Sequence, residues 1–439
     1  MLCIPAWFSY INNLAICTLS FARIITQNAH SGPSYIDNAD FNHDNIIDLV
    51  IDNYNDGTLI IALGNSNGTF KNQVQVSAGD GQTKPNAFDI GDINQDGNLD
   101  LVVVNSGTSN VGVLLGNGDG SFATPTRYST GNGSIPLGLA LKDLNDDNNL
   151  DLVVTDNANH VVLIFLGSKM GTFILTTTLS TGSNSGPYGV VIEDFNRDTQ
   201  PDIGVSNARS NQVSIFLNTG AINFVSPKTC STGTAPYSII TVDLNKDRIF
   251  DIVTTNYFGH SISVLFGNGD GSFKEQKMFS TGSSSLPYSL YFGDFNRDTN
   301  IDIVVVNSGT DKIGIFLGNG HGNFRIQRTY STGTGTVPID VKVADYNNDG
   351  RSDIVTANFN TNTFFIDSLL YFDMGYSSFT FGNGHGNFRI QRTYSTGTGT
   401  VPIDVKVADY NNDGRSDIVT ANFNTNTFFI DSLLYFDMG

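Results

Sequence analysis

One arrangement of oxygen-bearing side chains in the sequence could do chemistry, and it recurs along the chain. In its clearest copy, Asp294, Asn296, Asp298 and Asp302 occupy positions 1, 3, 5 and 9 of a short segment. Alternate residues of a tight turn direct their side chains towards one centre. Hard oxygen ligands without Cys or His suit calcium, which takes about 6–8 oxygen atoms. The spacing therefore predicts a calcium-binding loop.

The sequence contains eight such loops, and every loop fills all four positions. The predicted metal ligands are Asp40, Asn42, Asp44, Asp48, Asp92, Asn94, Asp96, Asp100, Asp143, Asn145, Asp147, Asp151, Asp194, Asn196, Asp198, Asp202, Asp243, Asn245, Asp247, Asp251, Asp294, Asn296, Asp298, Asp302, Asp345, Asn347, Asp349, Asp353, Asp409, Asn411, Asp413 and Asp417. Asp and Asn also favour ordinary solvated turns. Eight fully occupied copies argue against that interpretation and for structural calcium.

The loops differ in their expected strength. Position 3 is Asn throughout, which lowers the ligand charge and predicts dissociation constants of about 10⁻⁴–10⁻³ M. Position 6 of related calcium loops is Gly because the turn there is sharp. Gly97 meets this requirement, whereas Thr199, Arg248 and Thr299 adopt a left-handed conformation poorly. We expect the loops with Thr or Arg to bind calcium more weakly or to turn differently.

The segments around each loop predict β-strands. Apolar residues alternate with polar ones on both sides of the loops, as at Leu290 and Phe292. A proline seven residues before each first Asp, such as Pro287, marks the start of a strand. Glycine-rich hairpins such as "GNGDGSF" lead into a last strand. Each repeat of roughly 51 residues thus supplies four strands. A ring of such sheets, an all-β propeller with one repeat per blade, would bury both faces.

These residues also carry a family resemblance. The loop "DFNRDTNID", the strand "IVVVN" and the hairpin "LFGNGDGSF" resemble the FG-GAP repeats, also called VCBS repeats, of integrin α-subunit propellers and related extracellular proteins. The resemblance covers roughly residues 33–439. It implies that each cation loop joins the first and second strands of a blade and binds calcium on the lower face. It also implies that ligands meet the opposite, upper face.

The number of blades depends on a duplication. Residues 382–439 repeat residues 318–375 without a difference. Without the second copy there are seven loops, and the last repeat stops after its third strand. The segment "FARIITQ" before Pro33 has the spacing of a fourth strand, so we predict that it closes the ring. We expect a single propeller over residues 23–439, with seven blades, or eight if the duplication is real.

Composition bounds the location and the partners. The formal net charge of −19 argues against a nucleic-acid partner, and divalent cations in all the loops would nearly cancel it. Three cysteines do not indicate a disulfide framework, and no apolar run is long enough for a membrane span. Residues 1–22 are mostly apolar and end in a small-x-small sequence, which favours a secretory signal peptide. We therefore expect a secreted, extracellular protein.

Candidate ligand contacts come from the loops between the second and third strands, which the resemblance places on the upper face. Their aromatic and hydrogen-bonding residues are Tyr54, Arg209, Tyr257, Phe258, His260 and Phe359. Exposed aromatic side chains near a propeller axis are typical of an interaction surface.

Little in the sequence indicates catalysis. The six histidines are scattered without paired metal spacing, and no nucleophile triad or phosphate-cradling loop is present. We therefore expect no enzyme but a calcium-stabilised adhesion or recognition module that binds a protein. Its partner, a protein or a glycan, is not identified by the sequence, and the chain acts as a monomer or within a larger assembly. The alternatives are a lectin-like or polysaccharide-acting propeller and a purely structural spacer.

Overall fold

The computed structural model describes residues 24–28, 33–45, 48–53, 57–64, 70–79, 82–335, 337–344, 353–358, 363–367, 392–395, 402–408, 417–422 and 427–431. Nearly all of the regular structure in this part of the chain is β-strand. Its one helical element is a single 3-10 turn at Ser308–Thr310. No helix within these ranges has the length and apolar character needed to cross a bilayer.

The strands follow one another in groups of four after a single first strand. In chain order they are β1 Ile24–Asn28; β2 Pro33–Ala39, β3 Asp48–Asn53, β4 Thr58–Gly64, β5 Phe70–Ser77; β6 Pro85–Gly91, β7 Asp100–Asn105, β8 Asn110–Leu114, β9 Thr126–Ser129; β10 Pro136–Lys142, β11 Asp151–Asp156, β12 Val161–Gly167, β13 Phe173–Ser180; β14 Pro187–Glu193, β15 Asp202–Asn207, β16 Gln212–Phe216, β17 Lys228–Ser231. The second half continues with β18 Pro236–Val242, β19 Asp251–Asn256, β20 Ser261–Leu265, β21 Lys277–Ser280; β22 Pro287–Gly293, β23 Asp302–Asn307, β24 Lys312–Phe316, β25 Arg328–Ser331; β26 Pro338–Ala344, β27 Asp353–Asn358, β28 Thr363–Asp367, β29 Arg392–Ser395; β30 Pro402–Ala408, β31 Asp417–Asn422 and β32 Thr427–Asp431.

These strands form four-stranded antiparallel sheets arranged in a ring. Within the described residues there are eight sheets, and in seven of them four consecutive strands pair in sequence order. The first strand of each group is innermost, because it contacts the first strands of the neighbouring sheets, and β30 contacts β2. The sheets are therefore the blades of a closed β-propeller, and the prediction of an all-β propeller is confirmed.

The last blade contains strands from both ends of the described chain. β1 pairs with β32, placing Ile24 opposite Asp431, in a sheet of order β1-β32-β31-β30. The prediction that "FARIITQ" supplies a closing fourth strand is thus confirmed. The eight sheets are the number expected with both copies of the duplication. They match the alternative that we gave for a real duplication and not the seven blades that we preferred. Seven blades for a chain with one copy stays a prediction.

The cores lie between the blades. In β23 every residue is buried, and alternate side chains face opposite neighbours. Ile303 and Val305 pack in the cluster that contains Leu290. Val304 and Val306 pack in the next cluster. Because both faces of a central strand pack against another sheet, its sequence is a continuous apolar run. Each blade is therefore stabilised by contacts with its two neighbours.

Candidate functional site

Six of the predicted cation loops have all four ligand residues within the described residues, namely those that begin at Asp40, Asp92, Asp143, Asp194, Asp243 and Asp294. Each joins the innermost strand of a blade to the second strand, as the resemblance implied. The first three predicted ligands of the other two loops, Asp345, Asn347 and Asp349 and then Asp409, Asn411 and Asp413, fall outside these residues. Their ninth residues, Asp353 and Asp417, begin β27 and β31.

All six loops turn in the same way. The residue at position 6 is left-handed whether it is Gly97 (φ 86°), Thr199 (72°), Arg248 (64°) or Thr299 (64°). Of the two alternatives for the loops with Thr or Arg, a different turn is therefore excluded, and weaker calcium binding stays a prediction. A left-handed conformation is unfavourable for a β-branched residue such as Thr. The hydrogen bonds of the loop must hold it there.

The loop side chains supply those hydrogen bonds. The carboxylate of Asp294 accepts hydrogen bonds from the backbone N–H groups of Asp298 (3.2 Å) and Thr299 (2.8 Å). The side-chain oxygen of Asn296 accepts one from the Asp298 N–H (3.0 Å), and its amide nitrogen donates to the Asp298 carboxylate (3.0 Å). Asp298 in turn accepts a hydrogen bond from the N–H of Asn300 (2.8 Å). The first, third and fifth side chains are thereby drawn to the same turn.

The ninth residue of the loop has a second role that the sequence analysis missed. Asp302 is fully buried, and its Oδ2 accepts a hydrogen bond from the N–H of Phe295 at 2.9 Å. Its Oδ1 accepts one from the N–H of Gly318 at 2.7 Å, where the hairpin after the third strand begins. The same pair of contacts recurs at Asp48, Asp100, Asp151, Asp202 and Asp251. The ninth aspartate therefore ties the loop to the hairpin of its own blade.

Burial makes these ninth aspartates unusual acids. Loss of hydration raises the pKa of Asp302 and of Asp251 to about 7, although the two backbone N–H groups act in the opposite direction. The neighbouring carboxylates at positions 1 and 5 raise it further by repulsion. The same causes raise the pKa of Asp48, Asp151 and Asp202 to about 6. Each loop thus holds a carboxyl group that a nearby positive charge would favour in its ionised form.

The donor chemistry of the loops fits a hard cation. Carboxylate and amide oxygens are the atoms that calcium prefers, and the carboxylates of Asp294 and Asp298 lie close enough to Asp302 to repel it. As the side chains stand, no group of three His, Cys, Asp or Glu residues in the described ranges is gathered tightly enough to hold a metal ion. Calcium binding therefore stays a prediction supported by donor type and repulsion.

Two of the upper-face candidates make structural contacts. Arg209 donates a hydrogen bond from Nη2 to the side-chain oxygen of Asn157 at 2.9 Å, which links loops of neighbouring blades. His260 has a left-handed backbone (φ 49°), and its Nδ1 accepts a hydrogen bond from the N–H of Leu286 at 3.3 Å. Tyr54 and Phe359 lie outside the described residues. Arg209 and His260 therefore help to position the upper loops, whatever else they contact.

The other two candidates belong to an aromatic cluster formed by Tyr188, Tyr237, Tyr257, Tyr288 and Phe258. The rings of Tyr188, Tyr237 and Tyr257 are stacked in parallel, with centroids 4.7 Å and 4.9 Å apart. Tyr288 packs edge-on against Tyr237 and Tyr257, each at 5.8 Å, and its hydroxyl lies 3.4 Å from that of Tyr188. Phe258 stands edge-on to Tyr257 at 4.9 Å and is 60% exposed. Tyr257 and Phe258 are therefore held by contacts with neighbouring rings.

The propeller gathers these rings from three successive blades. Tyr188, Tyr237 and Tyr288 each follow the first proline of an innermost strand, in β14, β18 and β22. Tyr257 and Phe258 come from the loop after β19, in the middle blade. Burial raises the pKa of Tyr188 and of Tyr237, so their hydroxyls stay protonated at neutral pH. Sequence reasoning missed the three strand tyrosines, although a Pro-Tyr pair in consecutive repeats would have indicated them.

Comparison with known families agrees with this architecture. Overlapping matches to the FG-GAP-like repeat cover residues 40–103, 92–154, 143–205, 194–254, 243–305 and 294–356. The chain belongs to the FG-GAP-like repeat family. Each match to this family begins at the first Asp of a cation loop and runs into the second strand of the following blade. The resemblance found in the sequence is thereby confirmed. No curated protein matches the chain.

Several solved structures share the propeller fold. Virginiamycin B lyase from Staphylococcus aureus has a TM-score of 0.52 and 14% identity, covering 76% of this chain and 96% of its own. BBS1N, solved in complex with ARL6DN, has a TM-score of 0.51 and 11% identity, covering 77% and 94%. A functionally unknown protein from Desulfotomaculum acetoxidans has a TM-score of 0.50 and 12% identity, covering 79% and 98%. Identities this low show the fold alone, which serves a lyase and a protein-bound domain alike.

Proposed function

We propose that this protein is a calcium-stabilised, extracellular recognition module that binds a protein partner through its upper face. The observation that carries the proposal is the aromatic cluster. Its rings are fixed by one another before any partner arrives, so binding would cost little side-chain entropy. Tyrosine is enriched among the residues that dominate binding energy at interfaces. Phe258 offers an exposed ring on this rigid support.

The charges of the upper face support a protein contact. Asp156 accepts a hydrogen bond from the N–H of Ile135 at 3.0 Å. Asp311 accepts bonds from the N–H groups of Gly335 (2.6 Å) and Val337 (2.8 Å). These carboxylates are engaged by backbone groups, while the loop aspartates gather at the opposite end of the strands. Arg209 is exposed on the same face, and arginine is enriched together with aromatic residues at the centre of protein interfaces.

Calcium would act at the lower face. The first, third, fifth and ninth residues of each loop would hold it, and the bound ion would supply positive charge that relieves carboxylate repulsion. The buried ninth aspartate would then stay ionised while it holds the hairpin. The low affinity expected from an Asn at position 3 suits the calcium concentration outside cells. The secretory signal proposed for residues 1–22 lies outside the described residues.

A variant of the cluster tests the upper-face proposal. Phe258→Ala removes the most exposed ring of the cluster and leaves the tyrosines in place. Met278→Ala is the matched control, because Met278 is 59% exposed but lies on the outer strand β21. Both proteins and the unaltered chain would be used to capture secreted proteins from the source organism in calcium, with quantitative mass spectrometry. We expect proteins captured by the unaltered chain and the control to be lost with Phe258→Ala.

Two outcomes would contradict the proposal. Capture of the same proteins by Phe258→Ala would show that the cluster does not contact the partner. Release of captured proteins by free oligosaccharides, with binding of those sugars to the purified chain, would favour the lectin-like alternative. Melting curves of both variants should match that of the unaltered chain, because neither replaced side chain is buried.

A further inference from the structure

One outer strand differs from the others. The outermost strands of the described sheets are β1, β5, β9, β13, β17, β21, β25 and β29. Six of them contain Lys or Arg, namely Lys71, Arg127, Lys228, Lys277, Arg328 and Arg392, and β1 directly follows Arg23. β13, with the sequence "FILTTTLS", neither contains nor adjoins a charged residue or a proline. It is also eight residues long, whereas β9, β17, β21, β25 and β29 have four.

The side chains around β13 add an apolar surface to this edge. Met170 is 79% exposed, Ile174 69% and Leu175 43%. Single exposed apolar residues need no explanation, but here three stand next to a row of backbone groups at the edge of a sheet. Charges and prolines normally prevent such an edge from pairing with another strand. β13 has neither a charge nor a proline, whereas the outer strands of the two neighbouring blades, β9 and β17, contain or adjoin both.

One feature of β13 still opposes pairing with another strand. The pairing with β12 shifts by one residue, since Ile164 lies opposite Thr177 while Phe165 lies opposite Leu175. Thr176 is therefore an extra residue, and it twists the strand locally as a bulge does. Its hydroxyl lies 3.3 Å from the carbonyl oxygen of Ile164 and donates to it. The edge can still pair, but the contact it makes is short.

We propose that β13 pairs antiparallel with β13 of a second copy of this chain about a two-fold axis. In such a pair one residue must face its own copy, because opposite pairs alternate between hydrogen-bonded and non-hydrogen-bonded types. With Thr178 on the axis, Thr177 faces Leu179 and Thr176 faces Ser180, and this register uses only the regular part of the strand after the bulge. Thr–Ser hydrogen bonds and contacts between a β-branched and an apolar side chain stabilise neighbouring strands. The strand is thus complementary to itself.

The charge distribution also favours this contact over other places where two copies could meet. Each copy carries a net charge of −19, so most approaches bring like charges together. The stretch 170–192 contains no charged residue and includes all of β13. The residues that border this stretch are Lys169 and Glu193, so the strand itself carries no carboxylate. β13 is therefore a place where two acidic copies can approach with little repulsion.

The expected association is weak. One pair of short strands with flanking Ile and Leu side chains buries less than the area of roughly 1,000 Å² typical of stable complexes. We therefore expect dimers at micromolar concentrations and monomers well below. Because salt screens the repulsion between the acidic copies, the dimer should become more stable as ionic strength rises. Binding of a basic partner would show the opposite salt dependence.

Sedimentation equilibrium of the full chain in calcium and in EDTA, at low and high salt, tests the proposal. The salt dependence is measured in EDTA, where the net charge of −19 is not compensated. Leu175→Lys should weaken the dimer by about tenfold or more, since lysine on an edge strand opposes pairing. This change makes each copy less acidic, so general repulsion cannot explain a loss of dimer. Met278→Lys is the matched control. It makes the same chemical change at an exposed site of β21, which already contains Lys277, and should leave the dimer unchanged.

The proposal is overturned if the chain remains monomeric at high concentration and high salt. In that case the partner of β13 would be a strand of another protein. It is also overturned if Leu175→Lys and Met278→Lys have equal effects. Each variant must melt like the unaltered chain. Should Leu175→Lys fail to fold, Ile174→Lys at the more exposed neighbouring site decides the question in the same way.

Discussion

Replacement of Asp302 by Ala should destabilise the protein even after calcium has been removed. The change leaves the buried N–H group of Phe295 and the partly buried N–H group of Gly318 without their acceptor. Each unsatisfied buried group costs about 1–3 kcal/mol. Removal of a buried carboxylate, whose pKa is raised to about 7, offsets part of this cost. We expect a net loss of about 1–3 kcal/mol in the free energy of unfolding at pH 7.

Asp298→Ala in the same loop provides the comparison. Its side chain is exposed, and its hydrogen bonds reach only Asn296 and Asn300. In chelator we expect a cost within about 0.5 kcal/mol, as for most surface changes. In calcium both variants lose a ligand, and the two costs should move closer together.

Urea denaturation followed by circular dichroism, in EDTA and in calcium, measures both costs as shifts in the transition midpoint. Equal shifts for Asp302→Ala and Asp298→Ala in EDTA would refute the reasoning. That result would mean that the ninth aspartate matters only as a metal ligand, and that its contacts with the two backbone segments contribute nothing by themselves.

Four further predictions concern acidity, calcium, turn strain and blade number. In EDTA the protein should be most stable near pH 4 and less stable towards pH 7, because the ninth aspartates of the folded chain hold protons that the same residues release in the unfolded chain. Melting temperatures that rise from pH 4 to pH 7 would contradict this prediction. Calcium should raise the melting temperature at pH 7.5, and equal values with and without it would exclude a stabilising metal. Thr299→Gly should stabilise the protein by about 1 kcal/mol in urea, because glycine adopts the left-handed conformation freely, and a loss of stability would show that Thr299 is not strained there. A chain over residues 23–375, which keeps seven loops and β1, should unfold cooperatively as a seven-bladed ring, whereas its aggregation beside a well-behaved full chain would favour eight.

The fold was predictable because its signals are local and repeated. A proline, a loop of aspartates and a glycine-rich hairpin each specify their own few residues, and their spacing recurs in every blade. The role of β1 followed from spacing as well, since "FARIITQ" precedes Pro33 as an outer strand precedes the next blade. The loop turn was misjudged at Thr199, Arg248 and Thr299 because the hydrogen bonds of the loop override their conformational preference.

The features that sequence reasoning missed involve residues far apart in the chain. The contact between Asp302 and Gly318 spans 16 residues and crosses two strands. It recurs at the same separation in the other described loops, so the repeat itself contained the signal. The aromatic cluster joins residues about one and two repeats apart, such as Tyr188 and Tyr288. Only the ring arrangement brings these side chains together, since each one alone fits an ordinary strand.

The pairing of β1 with β32 also fixes an order of events during synthesis. β1 leaves the ribosome before any blade exists, but its partner emerges only after nearly the whole described chain has been made. The other blades can form during this time, but the ring cannot close until β32 pairs with β1. Loop-closure entropy grows slowly with length, so the delay is set mainly by translation. Throughout that interval β1 lacks its native neighbour, and a chaperone that shields this strand would act on the step that completes the fold.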